Sequence, residues 1–205
     1  MFRTPSCVFL VTACAFLAAA DTRPSSKLTV VLDFRGAHSD RSVTAMEHET
    51  EDILKSSGLY LDWRFAGEAA HETFDDLVVV QFKGACKVEP IPYVYDELGP
   101  LAFTYSADGT VQPFTQVSCD KVAATVRSAM WGEDFHRADF LFGRALGRVL
   151  AHELVHMLTA SAQHGHEGVH KPALSGRELI TGTLLLSPAD IARLRENQKV
   201  SPLRR

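Results

Sequence analysis

Cysteine is scarce in this chain: four among 205 residues, and two of those, Cys7 and Cys14, lie within the first 20. Only Cys86 and Cys119 remain to pair in the rest. A basic cluster is missing as well. Lys and Arg number 21 against 25 Asp and Glu, for a formal net charge of -4, which argues against a nucleic-acid partner. After the first 20 residues no apolar run is long enough to cross a bilayer, so no transmembrane span is expected in the body of the chain. Internal repeats, low-complexity tracts and linker-like stretches are also lacking. Residues 21–205 therefore read as a single domain, of a length that suits one core.

What is present begins with Met1-Phe2-Arg3, then an apolar stretch from Cys7 to Ala20 that closes on Ala18-Ala19-Ala20-Asp21. A positive start, a short apolar core and a small-x-small site read as a signal peptide over residues 1–20. The expectation is a secreted or periplasmic protein. Val11-Thr12-Ala13-Cys14 also resembles a lipobox, which would make Cys14 a lipidated first residue. In an exported chain Cys86 and Cys119 most simply form a disulfide, worth roughly 3–4 kcal/mol in the chain-entropy model. The alternative is two free or metal-binding thiols.

Hydropathy patterning describes an α+β body. Leu28 to Phe34 is an apolar, β-rich run and reads as a buried strand. Val43, Met46, Ile53 and Leu54 fall at helical spacing between Ser39 and Ser57, with Gly58 as a stop. His48, among Glu47, Glu49 and Glu51, reads as a solvated helix face rather than a metal site. Leu59, Leu61, Trp63 and Phe65 alternate with polar residues, giving a half-buried strand. Asp76 to Lys83 is another. Residues 84–100 read as a long ordered loop, in which Tyr93 and Tyr95 are either hydrogen-bond donors to a reacting group or packing residues. Leu101 to Tyr105 and Thr110 to Ser118 form a hairpin about Asp108-Gly109, and Pro113 suggests an edge strand. Asp120 reads as the N-cap of a helix carrying Val122, Val126 and Met130. Ser187-Pro188-Ala189-Asp190 opens a final helix, with proline at its first position. The expected fold is a twisted mixed sheet packed against helices.

The chain is organised around Ala151-His152-Glu153-Leu154-Val155-His156. A chance H-E-x-x-H match in a chain of this composition is roughly a 2% event, so context has to carry the reading. The stretch from Phe140 to Leu158 has no proline and abundant helix formers. On a helix, His152 and His156 lie ~40° apart on one face and one turn apart in height, which suits two ligands of a tetrahedral Zn²⁺. Glu153 points about 100° away, beside the ion, where it can act as a base. Apolar residues occupy the other faces, so the helix should be buried on most sides. Gly143, Gly147 and Ala151 form a small-residue stripe that would let another element approach closely. Arg148, one turn before His152, reads as a structural ion pair or as a substrate-carboxylate anchor.

A hydrolytic zinc site takes a third protein ligand and leaves one position open. The helix should end near Ser161, and Gly165 and Gly168 would let the backbone turn back toward the metal. Five of the nine histidines fall between 152 and 170. His164 is the first choice for third ligand, followed by His166 and Glu167, then His170.

With these residues assembled, the chain resembles the zincin metallopeptidases, in which a sheet domain also precedes a His-Glu-x-x-His helix. A third histidine after a glycine-containing turn is similar to the metzincin branch. Two departures stand out: metzincins place the third ligand where this chain has Ala162, and no methionine follows Met157 to build their methionine turn. The longer interval from His156 to His164 is similar to that of a group of little-characterised exported bacterial proteins. The resemblance is strongest over residues 144–170. Together the motif and the resemblance imply a secreted zinc-dependent metallopeptidase acting on peptides or proteins. His152, His156 and His164 would hold the metal, and Glu153 would take the proton of a metal-activated water. A non-peptide amide substrate is a variant of that chemistry. An inactive zincin-like metal-binding or interaction module is the alternative.

Overall fold

The computed structural model describes residues 26–88 and 99–200. The signal-peptide reading, the Cys14 lipobox, Tyr93 and Tyr95 fall outside them. Strand β1 (Ser26–Phe34) leads into helix α1 (Asp40–Leu54), which tightens into a 3₁₀ turn and stops at Gly58, in the left-handed conformation expected of a terminating glycine. Strand β2 (Leu59–Phe65), a single helical turn α2 (Ala66–Ala69) and strand β3 (Leu77–Lys83) follow. Strands β4 (Ala102–Ala107) and β5 (Thr110–Ser118) form the expected hairpin. Its turn puts Asp108 and Gly109 at φ of 51° and 77°, the pair of positive values that a two-residue hairpin loop requires. Helix α3 (Cys119–Ala129), a 3₁₀ segment, and the long helix α4 (Ala138–Thr159) come next. Helices α5 (Gly176–Ile180) and α6 (Pro188–Val200) complete the described chain.

The strands form one mixed sheet in the order β2-β1-β3-β5-β4. All pairings are parallel except that of β4 with β5. In β3, buried Val78, Val80 and Phe82 alternate with half-buried Leu77, Val79 and Gln81, so one face of the sheet carries the core. In β2 the expected alternation is weaker, with Leu61 buried and Phe65 exposed at the strand's end.

Two expectations about punctuation residues are corrected. Pro113 is not on an edge strand, because β5 lies between β3 and β4. It is tolerated because pairing with β3 starts only at Phe114 and the register with β4 shifts between Thr104 and Ser106, so Pro113 sits where the ladder is irregular. Asp120 does not cap α3. Ser118 is at the cap position, and the Asp120 carboxylate instead accepts the Ala85 N–H at 3.0 Å, tying α3 to the exit of β3. The Cys86–Cys119 disulfide joins the same two places.

Helix α4 is the centre of the packing, buried along nearly its whole length. Its small-residue stripe does what its spacing suggests. A Cβ on Gly143 would lie 2.3 Å from the Ser42 carbonyl oxygen, and one on Gly147 would lie 2.7 Å from that of Met46, both on α1. The two helices thus meet backbone to backbone. Glu49 of α1 turns inward to pair with Arg148 and Arg144, while His48 is exposed, so only part of that acidic cluster is a solvated face.

Gly143→Ala should therefore lower unfolding stability by about 1–3 kcal/mol, since backbone rather than a flexible side chain blocks the added methyl. Gly67→Ala in α2, which meets nothing within 4 Å, is the control and should be neutral or mildly stabilising. Urea denaturation of the two variants measures the contrast.

Candidate metal centre

The last turns of α4 carry the site. His152 and His156 project from one face, and the helix ends at Thr159 with Ala160 in the left-handed conformation at φ 48°. That turn reverses the chain and brings residues 161–170 back under the same face. Gly168, at φ 71°, packs so tightly against the Leu185 carbonyl oxygen that a Cβ would lie 2.4 Å from it. Gly165 is not in the positive-φ region and has ordinary spacing around it, so the glycine requirement rests on Gly168 alone.

The reversal brings His164 to the helix pair. His156 Nε2 lies 3.1 Å from His152 Nε2 and 3.3 Å from His164 Nε2. Donor atoms of the three residues all fall within 4.8 Å of one another. Neighbouring nitrogens on a tetrahedral zinc with ~2.0–2.1 Å bonds are about 3.3 Å apart, close to the two spacings that His156 makes, while the group as a whole spans up to 4.8 Å. The remaining ring nitrogens support the same assignment. His152 Nδ1 faces the Val169 carbonyl at 3.0 Å, and His156 Nδ1 faces the Ser161 carbonyl at 2.7 Å. A carbonyl oxygen only accepts, so both Nδ1 atoms carry the proton and both Nε2 atoms are bare electron pairs. Lone pairs converging at this distance are complementary to a cation.

Electrostatics favour the neutral rings that a metal needs. Burial pushes His152 down to about 4, outweighing the hydrogen bond to Val169. Burial, then the neighbouring His156, lowers His164. Glu153 moves the other way: burial raises its carboxyl, opposed by Thr104, His156 and Thr115. Thr104 of β4 donates to Glu153 Oε2 at 2.7 Å. Thr115 of β5 is 3.4 Å from the same oxygen but bonds the Phe103 carbonyl more closely, at 2.9 Å. Nothing local in the sequence singles out these two threonines. Their only signal there is the strand alternation that puts them on the inward face.

The other candidates for third ligand lie elsewhere. His166 and Glu167 are exposed and outside the three-histidine group. His170 is fully buried, and its Nε2 faces the back of His156, 3.3 Å from Nδ1, not the space between the Nε2 atoms. Arg148 is also no substrate anchor in this geometry. It is 1% exposed, bonded to Glu49 at 2.7 Å and to the carbonyls of Glu178, Thr181 and Gly182, which pins the α5 segment to α4. In front of the histidines lies a cleft of about 490 Å³, with Leu101, Val111, Val149 and Leu174 among its apolar lining and Lys171 at its wall.

No protein-family model matches the chain, and no curated protein sequence does. Among solved structures it is similar to archaemetzincin from Methanopyrus kandleri, with a TM-score of 0.53 over 87% of this chain and 99% of that one. Sequence identity across the match is 11%, so the likeness is one of fold. It extends to the mostly parallel five-stranded sheet packed with helices.

Proposed function

We propose that the chain is an exported zinc-dependent metallopeptidase. Residues 1–20 are its signal peptide and residues 21–205 its single zincin-like domain. His152, His156 and His164 hold Zn²⁺, and Glu153 is the general base. The observation that carries this reading is the convergence of three imidazole Nε2 atoms beside a buried carboxylate. The disulfide, and the lack among the described residues of any helix long and apolar enough to cross a membrane, are compatible with an extracellular or periplasmic location.

Zinc in such a site supplies Lewis acidity, which acidifies water and polarises a carbonyl oxygen. The rest falls to the chain's own groups. Glu153, its carboxyl raised by burial, takes the proton of the attacking water and returns it to the leaving amine. Because Thr104 engages Oε2, proton transfer falls to Oε1. The backbone carbonyls of Val169 and Ser161 keep two ligands in the tautomer that presents Nε2. The largely apolar cleft excludes water around a bound peptide.

The second reading is an inactive metal-binding module, which keeps the three histidines and makes no use of Glu153 as a base.

The two readings diverge under mutation. Glu153→Gln should retain stoichiometric zinc, measured by atomic absorption, while cleavage of a broad peptide library drops by about 10²–10⁴-fold. Stoichiometric zinc in the unmodified protein with no cleavage of any peptide would leave the binding module standing instead. His156→Ala should lose both metal and cleavage, as should prolonged dialysis against a chelator, and added zinc should restore only the dialysed protein. A chain that takes up no zinc at all would sink both readings.

A further inference from the structure

Behind the three histidines lies a second polar group that the mechanism above does not use. His170 and Asp190 are both 0% exposed. His170 Nδ1 lies 3.0 Å from Asp190 Oδ1, and His170 Nε2 lies 3.3 Å from His156 Nδ1. Asp190 stands in the first turn of α6, where a negative charge meets the positive end of the helix. It also accepts from the Ser187 hydroxyl at 2.6 Å and from Arg193.

Proton bookkeeping gives this chain a direction. An ionised carboxylate only accepts, so His170 carries its proton on Nδ1 and its Nε2 is an acceptor. That acceptor lies behind His156 Nδ1, whose N–H already points to the Ser161 carbonyl at 2.7 Å and is shared between the two. His156 Nε2 is then left as an electron pair facing His152 and His164. Burying an imidazole and a carboxylate together is a poor way to fill space, because an apolar pair of similar volume avoids the desolvation cost. Val169, next in the chain, supplies the carbonyl beneath His152. One dipeptide, Val169-His170, therefore supports both helix-borne imidazoles from below.

We propose that His170, oriented by Asp190, is a positioning residue that, together with the Ser161 carbonyl, holds the tautomer and ring orientation of His156 and so strengthens metal binding. The inference rests on the zinc reading of the three histidines. Hydrogen-bond partners of this kind change metal affinity by about 10–100-fold in zinc proteins.

Two measurements test it on the full chain. The first is zinc affinity, read by competition with a chromophoric chelator and supported by the visible spectrum of the Co²⁺-loaded protein. His170→Leu should weaken zinc by about 10–100-fold. His170→Gln, which can still offer an acceptor at the Nε2 position, should recover most of that loss. Equal zinc affinity in all three proteins would overturn the proposal, as would a Gln variant as weak as Leu. The second is imidazole nitrogen NMR on the unmutated, metal-free protein, which needs no variant to fold. It should show His156 and His170 both protonated on Nδ1; finding the proton of His170 on Nε2 would overturn the proposal. Failure of the unmutated chain to bind zinc would instead remove the metal reading beneath it.

Discussion

A helix buried on nearly every side must satisfy each polar group it carries, and in α4 that requirement selects the segments that pack against it. Four charged or ionisable side chains sit within three turns: Arg148, His152, Glu153 and His156. An unpaired one would cost several kcal/mol, more than any nearby apolar contact returns. They are answered from several separate parts of the chain. Arg148 takes Glu49 of α1 and three carbonyls around α5. His152 and His156 take carbonyls of the returning segment, and Glu153 takes a hydroxyl from the sheet edge. Sheet, helices and return loop are thus tied to one helix by its polar groups as much as by its apolar ones.

This explains how a motif of local spacing becomes a site of tertiary geometry. Helical periodicity alone puts two imidazoles on one face, but it does not aim them. Their aim comes from the carbonyls of Ser161 and Val169, which hold Nδ1 and turn Nε2 outward. Those carbonyls depend on the reversal at Ala160 and on the tight packing of Gly168 against Leu185. The α1 contact supports the same helix from behind, through glycines with no room for a side chain. Here burial, capping and the convergence of the histidines are consequences of one packing solution.

What could be read from the sequence follows from the range of each interaction. His152, Glu153 and His156 were legible because their relation spans one helical turn. The hairpin is legible because Asp108-Gly109 encodes its own turn; the small residues at i, i+4 and i+8 signal a close approach to α4, but not that α1 makes it. His164 is less legible, since its place depends on where a loop returns, and nothing in the sequence beyond residue type marks His170. Its true partner, Asp190, is 20 residues away on another helix, and nothing local joins them. Thr104 and Thr115 were invisible for a related reason: a threonine on a strand is unremarkable until the sheet order is known. Pro113 misled because sheet position is not local either; a bulge removes the same ladder bond that an edge does.

The disulfide links the export reading to the chemistry. Cys86 follows β3 and Cys119 opens α3, so the bridge brackets the chain segment that includes β4 and β5. β4 is the sheet edge beside the cleft, and it carries the Thr104 hydroxyl that engages Glu153. An edge strand is held by one neighbour only, which makes it the least constrained part of a sheet. Constraining both ends of its segment limits how far that edge can drift from α4. Closing a loop of this length contributes roughly 3–4 kcal/mol in the chain-entropy model. The Asp120 bond to Ala85 N–H adds a second tie at the same point. An oxidising compartment is therefore where the wall of the cleft, and the hydroxyl it presents to the carboxylate, are best held in place.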